Sequence, residues 1–117
     1  MRTTLSNEKL TPEAARAIGS FHSGVVNDIV KAVESHPVVV IGMAGNPFCK
    51  KARKSLEEAK TEFKYIEIGG YMSKWKERLA IKLWSGWPTY PQVFVNGKLV
   101  GGADDLKKFI AAGNLKQ

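Results

Sequence analysis

Apolar side chains recur along this chain with changing rhythm, and each change marks an element. From Phe21 the apolar positions run Val25, Val26, Ile29, Val30 and Val33, the spacing of one helix face. His36-Pro37 ends that helix, because the residue before proline avoids the helical region. Val38-Val39-Val40-Ile41 is a continuous β-branched run and predicts a strand buried on both faces, as in a parallel sheet. After the loop Gly42-Met43-Ala44-Gly45, Asn46-Pro47 predicts a helix start: asparagine is a favoured N-cap, and proline suits the first helical position. Phe48, Ala52, Leu56 and Ala59 continue at helical spacing. Phe63, Tyr65, Ile66 and Ile68 predict a second strand, ended by Gly69-Gly70. Ser73 is the expected cap of a third helix that carries Trp75, Leu79, Leu83 and Trp84 and closes near Gly86.

Pro88 and Pro91 frame a rigid turn. Val93-Phe94-Val95, Asn96-Gly97 and Lys98-Leu99-Val100 form a hairpin signature, since Asn-Gly supplies the positive φ angles of a type I′ turn. Gly101-Gly102 leads into a last helix with Leu106, Phe109 and Ile110, stopped by Gly113. Residues 1–18 lack a clear period and are expected to be an N-terminal extension to a domain spanning 19–117. A strand–helix–strand half implies a parallel pair, and the hairpin half must be antiparallel. The expectation is an α/β, thioredoxin-like fold: a four-stranded mixed sheet flanked by helices.

Composition narrows the function classes. At 117 residues and 44% hydrophobic, the chain suits one compact domain with its own core. One cysteine excludes an internal disulfide and fits a reducing, cytoplasmic setting. Two histidines and one cysteine, far apart in sequence, argue against a structural zinc site, so no metal is expected. No apolar stretch is long enough for a membrane span, and the start does not resemble a secretory signal. The net charge of +7 is concentrated in residues 50–82, with ten basic against five acidic side chains. Such a patch attracts anions, although much of it reads as a solvated helix face. No nucleic-acid motif accompanies it, and no nucleic-acid partner is expected.

From Val38 to Leu115 the chain resembles the glutaredoxins. Asn46-Pro47-Phe48-Cys49-Lys50-Lys51-Ala52 follows the first strand as the family's active-site loop and helix do. Trp87-Pro88-Thr89-Tyr90-Pro91-Gln92 resembles the monothiol branch, and Gly101-Gly102-Ala103-Asp104 resembles the glutathione segment. The resemblance implies glutathione as ligand. It implies that Pro91 is a cis-proline exposing the backbone of Tyr90, and that Gly102, Ala103 and Asp104 meet glutathione, with Asp104 at its amino group. Arg78 and Lys82 would grip its glycine carboxylate, or else lie exposed on an amphipathic helix. Trp75, Trp84 and Trp87 are expected to pack in the core and loops.

One departure bears on activity. The family's nucleophilic cysteine is here Asn46, which keeps the capping hydrogen bond but cannot form a mixed disulfide. Redox action would then be weak or absent, or depend on Cys49, and an iron–sulfur cluster is not expected because its protein ligand is missing. Cys49 has two readings. Beside Lys50 and Lys51 in a first helical turn its pKa could be lowered. In a stripe with Ala52 and Leu56 it is an inert core residue, the preferred reading. The alternative function is a non-catalytic adaptor that binds a protein partner, as a monomer or weak dimer.

Overall fold

The computed structural model describes residues 3–115. A 3-10 turn at Asn7–Lys9 leads into helix α1, Pro12–Ser20. The Thr11 hydroxyl oxygen accepts a hydrogen bond from the Ala14 N–H at 3.1 Å and caps it. α1 buries none of its residues, so it needs no strong apolar period and left little trace in the sequence. The expected break at residue 18 falls inside this helix.

Helix α2 spans Ser23–Ser35. It begins after Phe21 because His22 adopts a left-handed conformation with φ of 46°. It ends at His36, whose extended backbone precedes Pro37. The strands are β1 (Val38–Gly42), β2 (Lys64–Glu67), β3 (Gln92–Val95) and β4 (Lys98–Gly101). Helices α3 (Pro47–Glu58), α4 (Trp75–Ser85) and α5 (Ala103–Ala111) complete the chain. The sheet order is β2-β1-β3-β4. β1 runs parallel to β2 and antiparallel to β3, and β3 pairs antiparallel with β4. This is the expected thioredoxin-like architecture.

β1 is buried along its whole length, which explains its unbroken β-branched run. Its side chains alternate between two cores. Val39 and Ile41 join Phe94, Ile29 and Val33 of α2, and Ile81 of α4. Val38 and Val40 join Val93, Val95, Ala52 and Leu56 of α3, and Ala103 and Leu106 of α5. Two helices thus cover each face. The β3–β4 hairpin turns on Asn96 and Gly97, with φ of 51° and 80°, the two positive angles of a type I′ turn. Among the described residues no helix is long and apolar enough to cross a membrane.

Candidate functional site

The N-terminus of α3 follows directly from β1 through a short loop. Asn46 caps it with an extended backbone, and its Oδ1 accepts from the N–H groups of Phe48 at 2.8 Å and Cys49 at 3.2 Å. These are unpaired amides of a first helical turn, where an anion would otherwise be stabilised. A neutral amide oxygen takes that place. Pro47 follows at the first helical position.

Cys49 lies one turn in and is fully buried. Burial pushes its thiol above the usual pKa, outweighing the lowering effects of the Met43 backbone hydrogen bond and the Arg53 guanidinium. The thiol lies in the core stripe with Ala52 and Leu56. Its setting is tight. A Cβ on Gly42 would lie 3.0 Å from Cys49 Sγ and 2.7 Å from the Tyr65 hydroxyl, so only glycine fits there. The Arg53 guanidinium stacks over the Tyr65 ring at 4.3 Å, and the Tyr65 hydroxyl donates to Glu67 Oε1 at 3.3 Å. Tyr65 is pushed up to about 12, chiefly by burial.

A second edge runs from the α4–β3 loop to the start of α5. The Tyr90–Pro91 peptide is cis. Tyr90 is buried, its hydroxyl donates to the Arg78 carbonyl at 2.6 Å, and burial raises its pKa. The Lys82 ammonium lies 5.6 Å from the centre of the Tyr90 ring. Gly102 sits beside the Pro91 carbonyl and the Trp87 indole nitrogen. Gly101 holds φ of 127°, and a Cβ there would strike Asp105 Oδ2 at 2.7 Å. That oxygen is needed: it accepts from the Gly102 N–H at 3.0 Å and closes the start of α5. Asp105 is therefore a cap. Asp104, its neighbour, is exposed and pairs with Lys51 Nζ of α3 at 3.4 Å. Ala103 is buried between them and the sheet. Lys82 thus neighbours Tyr90, and Gly102 neighbours Pro91, with Ala103 and Asp104 next to Gly102 in the chain.

Arg78 does not share that freedom, and α4 is turned differently from the sequence expectation. Arg78 is only 7% exposed, and its Nη1 donates to the carbonyls of Ile68 at 2.9 Å and Ser73 at 2.6 Å. It is neither exposed nor open to grip a carboxylate through that nitrogen; it fastens the β2–α4 loop. Ser73 does not cap α4. Its hydroxyl accepts from the Gly70 N–H at 3.1 Å, and Lys74, left-handed at φ of 61°, takes the N-cap position. Trp75 is exposed rather than packed, whereas Trp84 is partly covered by Phe94, with ring centres 5.6 Å apart.

Three contacts left no local sequence signal. Lys51 reaches across 53 positions to Asp104, a pairing no local spacing encodes. The Gln92 side-chain nitrogen donates to the Trp87 carbonyl at 3.1 Å and holds the α4–β3 loop from below. Arg53 of α3 and Tyr65 of β2 meet through the fold, twelve positions apart in the chain.

Residues 37–100 match the family model described as Glutaredoxin. A glutaredoxin-like protein of Dictyostelium discoideum is 46% identical over 107 residues, covering 92% of this chain and 87% of its own. A glutaredoxin of Oryza sativa subsp. japonica is 40% identical over 85 residues, 73% of this chain and 76% of its own. Among solved structures, oxidized glutaredoxin 2 of Chlamydomonas reinhardtii superposes with a TM-score of 0.69 at 29% identity, over 80% of this chain and 89% of that one. A buckwheat glutaredoxin–glutathione complex shares the fold, with a TM-score of 0.70 at 23% identity, over 82% and 87%. Strand order, helix placement, family model and relatives converge, and this chain belongs to the glutaredoxin family.

Proposed function

We propose that this protein binds glutathione along the edge from Lys82 through Tyr90 and Pro91 to Gly102, Ala103 and Asp104, and does not turn it over. The observation that carries this reading is the pair of hydrogen bonds from Phe48 and Cys49 N–H to Asn46 Oδ1. Asn46 stands where glutaredoxins carry the nucleophilic cysteine, in a sequence like the monothiol branch. Its side chain keeps the helix start intact but offers no thiolate to attack a disulfide sulfur. Cys49 does not replace it, because its thiol is buried and held protonated. For the same reason no protein thiolate is offered to an iron–sulfur cluster, and no step is derived through one.

The edge suits the ligand's chemistry. Glutathione carries an ammonium, two carboxylates and peptide bonds. The exposed Asp104 carboxylate suits the ammonium, and Lys82 suits a carboxylate. The backbone of Tyr90, next to Pro91, suits the peptide. A buckwheat glutaredoxin of this fold is known in complex with glutathione. The buried lone thiol suits a reducing, cytoplasmic setting.

Titration of isotope-labelled protein with reduced glutathione tests binding. Saturable amide shifts at Tyr90, Gly102, Ala103 and Asp104 are expected, and an unchanged spectrum at millimolar ligand sinks the groove. The turnover half is tested with Asn46→Cys. Incubated with glutathione disulfide, that variant should attack one sulfur, release one reduced glutathione and keep the other as a mixed disulfide, seen by intact mass, while the native chain does not. Disulfide reduction by the native chain that is lost in Cys49→Ser would overturn it. A second reading, a glutaredoxin-fold adaptor for a protein partner, is favoured by a separate observation, the apolar outward face of α4.

A further inference from the structure

Helix α4 exposes its most apolar face. Trp75, Leu79 and Leu83 recur every four residues along the helix and are 59%, 38% and 64% exposed. Met72, just before the helix, is almost wholly exposed. The opposite side is also covered, by burial of Ala80 and Ile81. A helix apolar on both sides belongs between two layers. Here no outer layer covers it among the described residues, and exposed apolar side chains grouped in this way mark an interaction site.

We propose that this face docks an acidic amphipathic helix of a partner protein. The proposal deepens the adaptor reading and does not depend on glutathione binding. Three observations choose the occupant. The first is shape. Trp75, Leu79 and Leu83 form one row along α4, a shape with which a facing helix can interlock. Positions four apart form the ridge by which helices interlock.

The second is an anchor pocket. At the C-terminal end of the ridge a cavity of about 240 Å³ opens between α1, α2 and α4, lined mainly by Ile18, Phe21, Val26, Leu83 and Trp84, with Ser23 and Asn27 of α2 as its polar wall. Ile18 and Leu83 are its exposed lips. One apolar side chain of the partner would fill it, as buried anchors do at the centre of interfaces. A membrane surface would leave it unused.

The third is charge. Lys76 borders the ridge one position after Trp75, its ammonium 5.6 Å from the centre of the Trp75 ring. The one acidic residue of α4, Glu77, is turned towards Lys74, 3.6 Å away, and is only 20% exposed. Two copies of this chain meeting through the ridge would bring lysines together. An acidic rim on the partner meets them with the opposite sign.

The probe is a designed helical peptide with leucines every three and four residues and glutamates elsewhere, titrated into the labelled full chain. Saturable amide shifts confined to α4 and the facing turns of α1 and α2 are expected. Leu83→Glu, at an exposed position, should weaken binding at least tenfold (about 1.4 kcal/mol or more). Lys76→Glu should weaken it by a few fold and shift preference to a peptide with lysines in place of the glutamates. Spectra of both variants without peptide confirm the fold. Any of three results overturns the proposal. They are no saturable binding of the acidic peptide, binding indifferent to Leu83→Glu, and tighter binding to vesicles of mixed phosphatidylserine and phosphatidylcholine than to the peptide. A concentration-dependent dimer abolished by Leu83→Glu would instead assign the face to a second copy. Glutathione titrations run in parallel fail or succeed separately.

Discussion

Helices α3 and α4 have nearly the same length, twelve and eleven residues, and both flank the two central strands. They face opposite ways. α3 turns Cys49, Ala52 and Leu56 inward and Lys50, Lys51 and Lys54 to water. α4 turns Ala80, Ile81 and an arginine inward and Trp75, Leu79 and Leu83 outward. The difference shows what decides a helix's rotation. Apolar area favours burial, but unpaired backbone groups near the core cost more than exposed leucines. The β2–α4 loop brings the carbonyls of Ile68 and Ser73 within reach of one side chain, and Arg78 serves both.

The largest effect should come from breaking that service. Arg78→Met keeps most of the aliphatic stem and removes the donors. It leaves two carbonyls unmet and should cost about 3 kcal/mol in urea unfolding. A loss below about 1 kcal/mol would mean that the carbonyls find water, and that the orientation of α4 has another cause.

On α3 the corresponding polar contact is the Asn46 cap. Asn46→Ala removes the acceptor for two N–H groups and should cost about 1 kcal/mol. Asn46→Asp should retain the cap, since an aspartate accepts the same bonds and favours the positive end of the helix. If alanine cost nothing, Asn46 would not be the element holding the helix start.

The buried thiol gives α3 a pH signature. Burial raises the folded-state pKa of Cys49. Below the ordinary thiol value both folded and unfolded states hold the proton, and the thiol adds no slope. Above it the unfolded chain ionises first, so stability falls as pH rises, until the folded thiol ionises as well. Tyr65, pushed up to about 12, adds a similar slope at higher pH. Cys49→Ala should therefore lose stability less steeply on the alkaline side than the native chain. Equal slopes in urea midpoints across that range would place the thiol in contact with water.

The same contrast explains how much of the fold and site the sequence disclosed. β1, α3, the hairpin and α5 were legible because their signals are local: a β-branched run, Asn-Pro, Asn-Gly, Gly-Gly before an amphipathic stretch. The site edge was legible only through its family motifs, since Lys51–Asp104 and Gln92–Trp87 join parts of the chain that spacing cannot relate. α4 was legible as a helix but not as to which side faces in. Its apolar residues lie on both sides, and the bonds that turn Arg78 inward run to loop carbonyls, which sequence does not mark. α1 was missed because it buries nothing.

The smallest effect is the most telling about α4. Leu83→Ala removes an apolar side chain from a helix next to the core, and on α3 an equivalent truncation would open a cavity. At Leu83 most of the side chain is already in water, so little burial is lost and alanine favours the helix. The expected change in unfolding free energy is within about 0.5 kcal/mol of zero. A loss of about 2 kcal/mol or more would show that Leu83 is covered in solution by its own chain, for instance by closure of the cavity between α1, α2 and α4 on its side chain. The outward face would then be part of the core after all, and α3 and α4 would differ in their polar anchors but not in which side they bury.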